Sequence, residues 1–335
     1  MVRSGIDGVF VVNTVAGPDK LAALAVLASD ADVMVAVDDA DNAARIAAAA
    51  REAGSIIGVL VELDTGMDRA GVDTTEEAVA LAAKLVELEG VNLLGLTGYE
   101  GHCSLTPERE LRHKREQKAM SFLVETAEAL RSAGLPCPIV SAAGTATWEW
   151  TASFPGITES QAGSYVVMDN FHGAMVPEFE HAITVVTTVI SRPPDRVIVD
   201  AGNKSMGAPA LASIVGRDDL PNFRFDEEHG IFAAAREAGL RVGDVVELVP
   251  GYAPGTINPE AAVPERDHPL RETGGSRTES HRRPGHPIRA KTPTRMPDAV
   301  LDHASGLMRP GCRDVCGYRW RGRRPAVLVA VSSTG

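Results

Sequence analysis

The sequence predicts an α/β fold, a parallel sheet flanked by helices and followed by a smaller, mostly β region. Three observations carry that prediction. Short apolar runs alternate with Ala-rich amphipathic stretches at intervals of about 25 to 40 residues, the spacing of strand–helix units. The strand runs are apolar throughout, as strands covered on both faces are. Past residue 180 the helical stretches give way to β-branched runs.

Taken in order, GVFVVN (8–13) is the first strand. PDKLAALAVLASD (18–30) is a helix with Pro18 in its first turn. DVMVAVDD (32–39) is a strand, and ADNAARIAAAAREAG (40–54) is a helix ending at Gly54. IIGVLVELD (56–64) is a strand. TTEEAVALAAKLVELEG (74–90) is a helix that Thr74 or Thr75 can cap, with Glu77 placed for a capping box. LLGLTGYEG (93–101) is a strand, and the 107–134 segment a long helix. PCPIVSAAGT (136–145) is a strand running into a glycine turn, and ITESQAGSYVVMD (157–169) is the sixth strand. A closed (β/α)8 barrel needs eight strands, so the sheet is either open and doubly wound or short of two units. Farther on, AITVVTTVISRPPDRVIVDAG reads as two strands around Pro193–Pro194, IFAAAREAG (231–239) as the one possible helix, and LRVGDVVELVPGYAPGTIN as strand and loop. The expected domains are 1–178, a parallel-sheet domain; 179–263, a β domain; and 264–335, a tail.

The chain has 335 residues, 44% of them hydrophobic, ample for a sizeable core. It has no apolar run of about 18 residues, so no membrane-crossing helix is expected, and MVRSGIDGVFVV lacks the features of a signal peptide. Cys103, Cys137, Cys312 and Cys316 are scattered without zinc-site or disulfide spacing, which predicts a reducing, cytoplasmic setting. Residues 264–335 carry 14 Lys and Arg against 7 Asp and Glu, the rest 19 against 38. A body that acidic does not recruit nucleic acid by charge. The tail, rich in Arg, Pro, Gly and Ser, reads either as disordered or as GC-rich DNA translated out of frame.

Ligands of parallel α/β sheets sit at the carboxyl ends of strands, and five strand ends here are polar or glycine-rich. LDTGMDRAGV (63–72) displays Arg69, either an oxyanion contact or a partner of Asp68. GYEGHC (98–103) displays Tyr99 and His102, the histidine able to stack on a ring, to act as acid or base, or to be a plain loop residue. SAAGTATW (141–148) offers Ser141, Gly144 and Thr145 to an anion. AGSYVVMD (162–169) brings Gly163, Ser164 and Tyr165 beside a strand, and IVDAGNKSMG (198–207) holds Lys204, read as structural or dimer-facing.

Together VVNTVAGPDKL, VELDTGMDRAGV, GLTGYEGH, VSAAGTAT, QAGSYVVMD, VIVDAGNKSMG, DEEHG and GDVVELVPGYAPGTIN, in this order over about residues 8–260, resemble fold type III pyridoxal phosphate enzymes. The branch is that of D-threonine aldolase and D-serine dehydratase, relatives of alanine racemase. The resemblance implies a (β/α)8 barrel followed by a β domain, pyridoxal 5'-phosphate at the barrel mouth, and a homodimer. It implies a lyase acting on D-β-hydroxy-amino acids, by retro-aldol cleavage to glycine and an aldehyde or by elimination. Arg69 matches the arginine on the cofactor's phenolic oxygen, and His102, with Tyr99, the ring contacts. Ser141, Gly144, Thr145, Gly163, Ser164 and Tyr165 match the phosphate side.

Two departures accompany the resemblance. The family's Schiff-base lysine lies on the first barrel strand, and nothing like its segment occurs here; Lys20 falls on a helix. The expectation is a barrel lacking about two N-terminal βα units, with no catalytic residue assigned. Where the family carries its metal pair, Tyr252 and Pro254 stand, with Thr256 and Asn258 retained, so a divalent metal is doubtful. The readings left open are the lyase, a catalytically inactive remnant or cofactor-binding protein, and a racemase with Tyr252 as its second base.

Overall fold

The computed structural model describes residues 1–206, 211–257 and 288–290. Asn258, Cys312, Cys316 and the tail other than 288–290 lie outside the described residues. Two compact units divide the described chain after Gly163.

The first unit is a succession of βα units. Its strands are β1 (Gly8–Thr14), β2 (Asp32–Val37), β3 (Ile57–Leu63), β4 (Val91–Gly98), β5 (Ile139–Ala142) and β6 (Glu159–Ser160). They form one six-stranded parallel sheet in sequential order. Between them run α1 (Pro18–Leu27), α2 (Ala40–Ala53), α3 (Thr75–Leu85), α4 (Arg109–Ser132) and the single turn α5 (Trp148–Thr151). A doubly wound sheet reverses its strand order at a switch point. This one never reverses, so it is wound one way, as in a barrel. Strand alternation shows the two faces. Ile57, Val59, Val61 and Leu63 of β3 pack with Leu24, Ile46, Leu81, Leu123 and the other helix residues. Leu60, between them, packs on the opposite face with Phe10 and Ala36.

Local signals explain the helix ends. Asp39 caps α2 by accepting the Asn42 N–H at 2.7 Å, and Gly54 ends it at φ 67°. Thr74 and Glu77 complete a reciprocal capping box on α3. Close packing fixes one glycine. A Cβ on Gly95, at φ +143°, would lie 1.9 Å from the Ile139 carbonyl oxygen on the neighbouring strand.

The sixth strand is shorter than its sequence suggests. Only Glu159–Ser160 pair with β5. The Gln161 N–H donates to Ala142, and the chain then turns into a 3-10 segment at Ser164–Val166. Gly163, Ser164 and Tyr165 therefore stand beyond the strand and not along it.

The second unit holds α6 (Asn170–Gly173), β7 (Ile183–Ser191), β8 (Arg196–Val199), α7 (Asn203–Met206), β9 (Ser213–Ile214), β10 (Asn222–Phe225), β11 (Gly230–Ala233), β12 (Val245–Val249), α8 (Ala253–Ile257) and β13 (Ile288–Ala290). Its strands join in one antiparallel sheet, with β13 on β7. Val185, Val189, Val197, Val199, Phe232 and Leu248 form its core. The helix expected at 231–239 is absent. Gly230–Ala233 pair with both β8 and β10, and Phe232 is fully buried. Sheet pairing thus overrides the helix propensity of the alanines.

Candidate active site

The loop after β3 is built by its own carboxylate. Asp64 Oδ1 accepts the N–H groups of Gly66 at 2.8 Å and Met67 at 2.7 Å, and Oδ2 that of Arg69 at 2.9 Å. Burial works against the Asp64 charge, but the three N–H groups and Arg69 outweigh it and hold the carboxyl below its usual range. Asp38 tethers the far end of the loop, accepting the Gly71 N–H at 3.1 Å. A Cβ on Gly71, at φ +114°, would strike the Asp64 nitrogen at 2.4 Å. So the DTG…G spacing is a turn that only these residues close, and Arg69 is its exposed product.

Arg69 does not pair with Asp68. Its guanidinium carbon lies 5.7 Å from the centre of the Tyr99 ring, at the end of β4. His102 follows in a 3-10 turn, Gly101–Leu105. Its ring crosses Gly66, where a Cβ would come within 2.9 Å of Cε1, and its Nδ1 is buried without a partner. Burial, then the charge of Arg115, lowers its proton affinity, so the imidazole is neutral near pH 7. Tyr99 sits against two further glycines; a Cβ on Gly101 would lie 2.3 Å from Cε1, and one on Gly144 3.0 Å from Cε2. Arg69, Tyr99 and His102, from two strand ends, are thus brought together around small residues.

The β5 side is arranged differently from the expectation. Glu100, fully buried, accepts the N–H groups of Ala143 at 3.2 Å and Gly144 at 3.1 Å and the hydroxyl of Thr147. Burial raises its proton affinity, and these donors oppose the rise. Ala143 holds φ 81°, a strained value for a residue with a Cβ, which aims its N–H at this carboxyl. The Ser141 hydroxyl donates to Glu159 Oε1 at 2.5 Å. Gln161 Nε2 donates to Thr97 Oγ1 at 2.8 Å and to Ser141 Oγ at 2.9 Å. Ser141 and the Gly144 N–H are therefore already engaged with carboxylates. Thr145 is buried beside them, and a Cβ on Gly163 would make an ordinary contact, 3.9 Å from the Gln161 carbonyl oxygen.

Glu62, Glu100, Glu159 and Gln161 escaped the sequence reading. An acid inside an apolar run, as in VLVEL, or between tyrosine and glycine, as in GYEG, was the available signal. A carboxyl in such a place is retained at a desolvation cost.

In the second unit, Ser164 and Tyr165 lie in the 3-10 segment, with the Tyr165 ring 5.4 Å from Phe179. Lys204 forms an exposed ion pair with Glu228, Nζ to Oε1 2.7 Å. Tyr252 stacks on His172 at 5.9 Å, and His172 Nδ1 meets Asp169 at 2.8 Å. Burial, then Asp169, raises the proton affinity of the Tyr252 phenol. The Pro254 side chain has no donor atom, and no group of three His, Cys, Asp or Glu suited to a metal occurs among the described residues. Tyr252 and Pro254 stand where the resemblance places the family's metal pair.

A one-way parallel sheet with its arginine, tyrosine and histidine at the strand ends, followed by an antiparallel unit, is the alanine racemase-like class. Residues 3–170 match the family model for the alanine racemase N-terminal domain, and residues 182–260 that for the putative serine dehydratase domain. The D-threonine aldolase of an Arthrobacter species is 38% identical over 269 residues, 77% of this chain and 70% of that protein. The crystal structure of D-threonine aldolase from Filomicrobium marinum superposes with a TM-score of 0.75 at 33% identity, over 77% of this chain and 72% of that one. The D-threo-3-hydroxyaspartate dehydratase of a Delftia species superposes at 0.67 and 28% identity, over 76% and 74%. The chain belongs to the alanine racemase-like family of pyridoxal phosphate-dependent enzymes, on the branch of the D-threonine aldolases.

Proposed function

We propose that the chain works as a pyridoxal phosphate-dependent lyase on D-β-hydroxy-amino acids, cleaving the Cα–Cβ bond to release glycine and an aldehyde. One observation carries the reading. Arg69, Tyr99 and His102 share one end of the sheet, at the strand ends where the aldolase resemblance puts the cofactor ring. The residues suit that ring. The glycines at 66, 101 and 144 let the His102 and Tyr99 rings pack close, Arg69 offers an exposed fork of donors, and His102 Nδ1 is buried without a partner.

Pyridoxal phosphate, when bound, accepts the electron pair released at the substrate's α-carbon. The chain's residues bind and orient the ring. Arg69 donates to an oxyanion of the ring and fixes its orientation. His102 lies against the ring as an uncharged imidazole and adds no competing cation. Ser141 and Gly144 are engaged by Glu159 and Glu100, and the proposed phosphate contacts Thr145, Gly163, Ser164 and Tyr165 rest on motif order. No step is assigned to a metal.

The Delftia dehydratase supports a second reading, elimination of the β-hydroxyl from the same substrates. A homodimer and a cytoplasmic location belong to the proposal as well. The test incubates the purified chain with pyridoxal phosphate and follows the visible absorbance of the bound cofactor and its fixation by borohydride onto a lysine. D-Threonine cleavage, D-serine elimination and alanine racemization are then compared. Aldehyde from D-threonine is expected. Absence of bound cofactor together with absence of all three products rejects the reading in favour of a non-catalytic protein.

A further inference from the structure

The single turn α5 is held by two buried carboxyls, one at each end. At its start the Thr147 hydroxyl donates to Glu100 Oε1, and one turn later the Thr151 hydroxyl donates to Glu116 Oε1 at 2.9 Å. The two threonines are joined along the turn, the Thr151 N–H on the Thr147 carbonyl at 3.1 Å. Glu116 comes from α4, is fully buried, and its Oε2 has no hydrogen-bond partner. A carboxyl so placed is retained at a desolvation cost, and the Thr151 hydroxyl is what it holds. Four residues make a helix too short to persist by its own hydrogen bonds, so α5 keeps its place through side chains. One turn back on α4, Arg112 Nη1 donates to the carbonyls of Thr106 at 2.9 Å and Pro107 at 3.1 Å, just past the His102 turn. One helix thus grips both loops that follow β4 and β5.

We propose that Glu116 is a positioning residue: through Thr151 it fixes α5, so that Thr147 and Glu100 hold the Ala143–Gly144 turn against the Tyr99 ring. Every link is a direct contact. Glu116 meets Thr151, Thr151 meets Thr147 along α5, and Thr147 meets Glu100. Glu100 in turn accepts the N–H groups of Ala143 at 3.2 Å and Gly144 at 3.1 Å. A Cβ on Gly144 would lie 3.0 Å from Tyr99 Cε2, so the turn and the ring are in close contact. Ala143, at φ 81°, keeps that conformation only while its N–H is held. The inference rests on Tyr99 as a contact of the cofactor ring, and it adds what holds that contact in place from α4.

The test is amide hydrogen exchange in the full chain, read at Ala143 and Gly144 and, as a measure of global opening, at Val59 and Val61 of β3. The pH is kept below the Glu116 midpoint of about 7, where glutamine copies the neutral acid. Glu116→Leu, which removes the acceptor, should speed exchange at Ala143 and Gly144 about tenfold beyond any change at Val59 and Val61. Glu116→Gln, which keeps an acceptor for Thr151, should stay within about twofold of the wild type. Thr151→Val should reproduce the leucine effect, and Glu116→Leu added to it should do nothing more. If Glu116→Leu does not fold, Thr151→Val carries the test. No acceleration at Ala143 and Gly144, the same acceleration at Val59 and Val61, or the same effect from glutamine as from leucine overturns the proposal. Pyridoxal phosphate is then added to the wild type. If exchange responds as expected but the cofactor does not bind, the clamp stands and the cofactor reading falls. If the cofactor binds and exchange does not respond, the reverse holds.

Discussion

Glu100 shows what one residue decides in this site. Its carboxylate accepts two backbone N–H groups and a hydroxyl at the turn after β5, and it holds Ala143 at a positive φ that alanine otherwise avoids. Replacing it with glutamine turns one acceptor oxygen into a donor that faces N–H groups. Because a buried unsatisfied donor costs about 1–3 kcal/mol, Glu100→Gln should lose about that much stability in urea unfolding. The same change should also loosen the Tyr99 ring, which packs on Gly144. Tyr99 fluorescence is a poor reporter beside three tryptophans, so the ring is better followed by its NMR flip rate. An unchanged urea midpoint would mean that the turn is held by the Thr147–Gly144 contacts alone.

At the scale of elements, helix starts carry separable amounts of stability. The capping box on α3 satisfies N–H groups at both Thr74 and Glu77. Thr74→Ala removes one half and should cost about 1 kcal/mol, while the fold and the loop bearing Arg69 stay in place. Equilibrium unfolding compared with Glu77→Ala would show whether the two halves act together. The β6 segment is the counter-example. Its apolar residues predict a strand through residue 169, yet pairing stops at Ser160, and the Gln161 side chain bonds Thr97 and Ser141 where the strand ends.

At the scale of the whole molecule, the buried carboxyls make stability depend on pH in one direction. Burial raises Glu62 and Glu116 to about 7 and raises Glu100 and Glu159 as well. Glu62 and Glu116 therefore hold their protons in the folded chain over a pH range where the unfolded chain is already ionised. The contribution of Glu62 and Glu116 is complete below the ordinary value near 4.5 and is lost as pH rises through about 7. Glu116, fully buried with its Oε1 on the Thr151 hydroxyl and its Oε2 without a partner, is the cleanest probe. Glu116→Gln should flatten the decline between pH 5 and pH 8 by roughly 2 kcal/mol. Urea midpoints across that range check it, and an equal slope in both proteins would assign the dependence to other groups.

The sequence by itself determined the succession of βα units, the helix caps and the identity of the strand ends that carry Arg69, Tyr99 and His102. Periodicity, capping residues and glycine turns are local, and they act within a few residues of where they are read. It also placed the chain in its family through the order of its motifs. Only the tertiary structure decided that the sheet winds one way, that residues 231–233 join two strands and form no helix, and that Ser141 and Gly144 answer to carboxylates. The Ser141 and Gly144 contacts depend on partners 18 and 44 residues distant, which no local pattern encodes. The buried glutamates were in view throughout. Their importance lies in desolvation, a property of what surrounds a residue after folding.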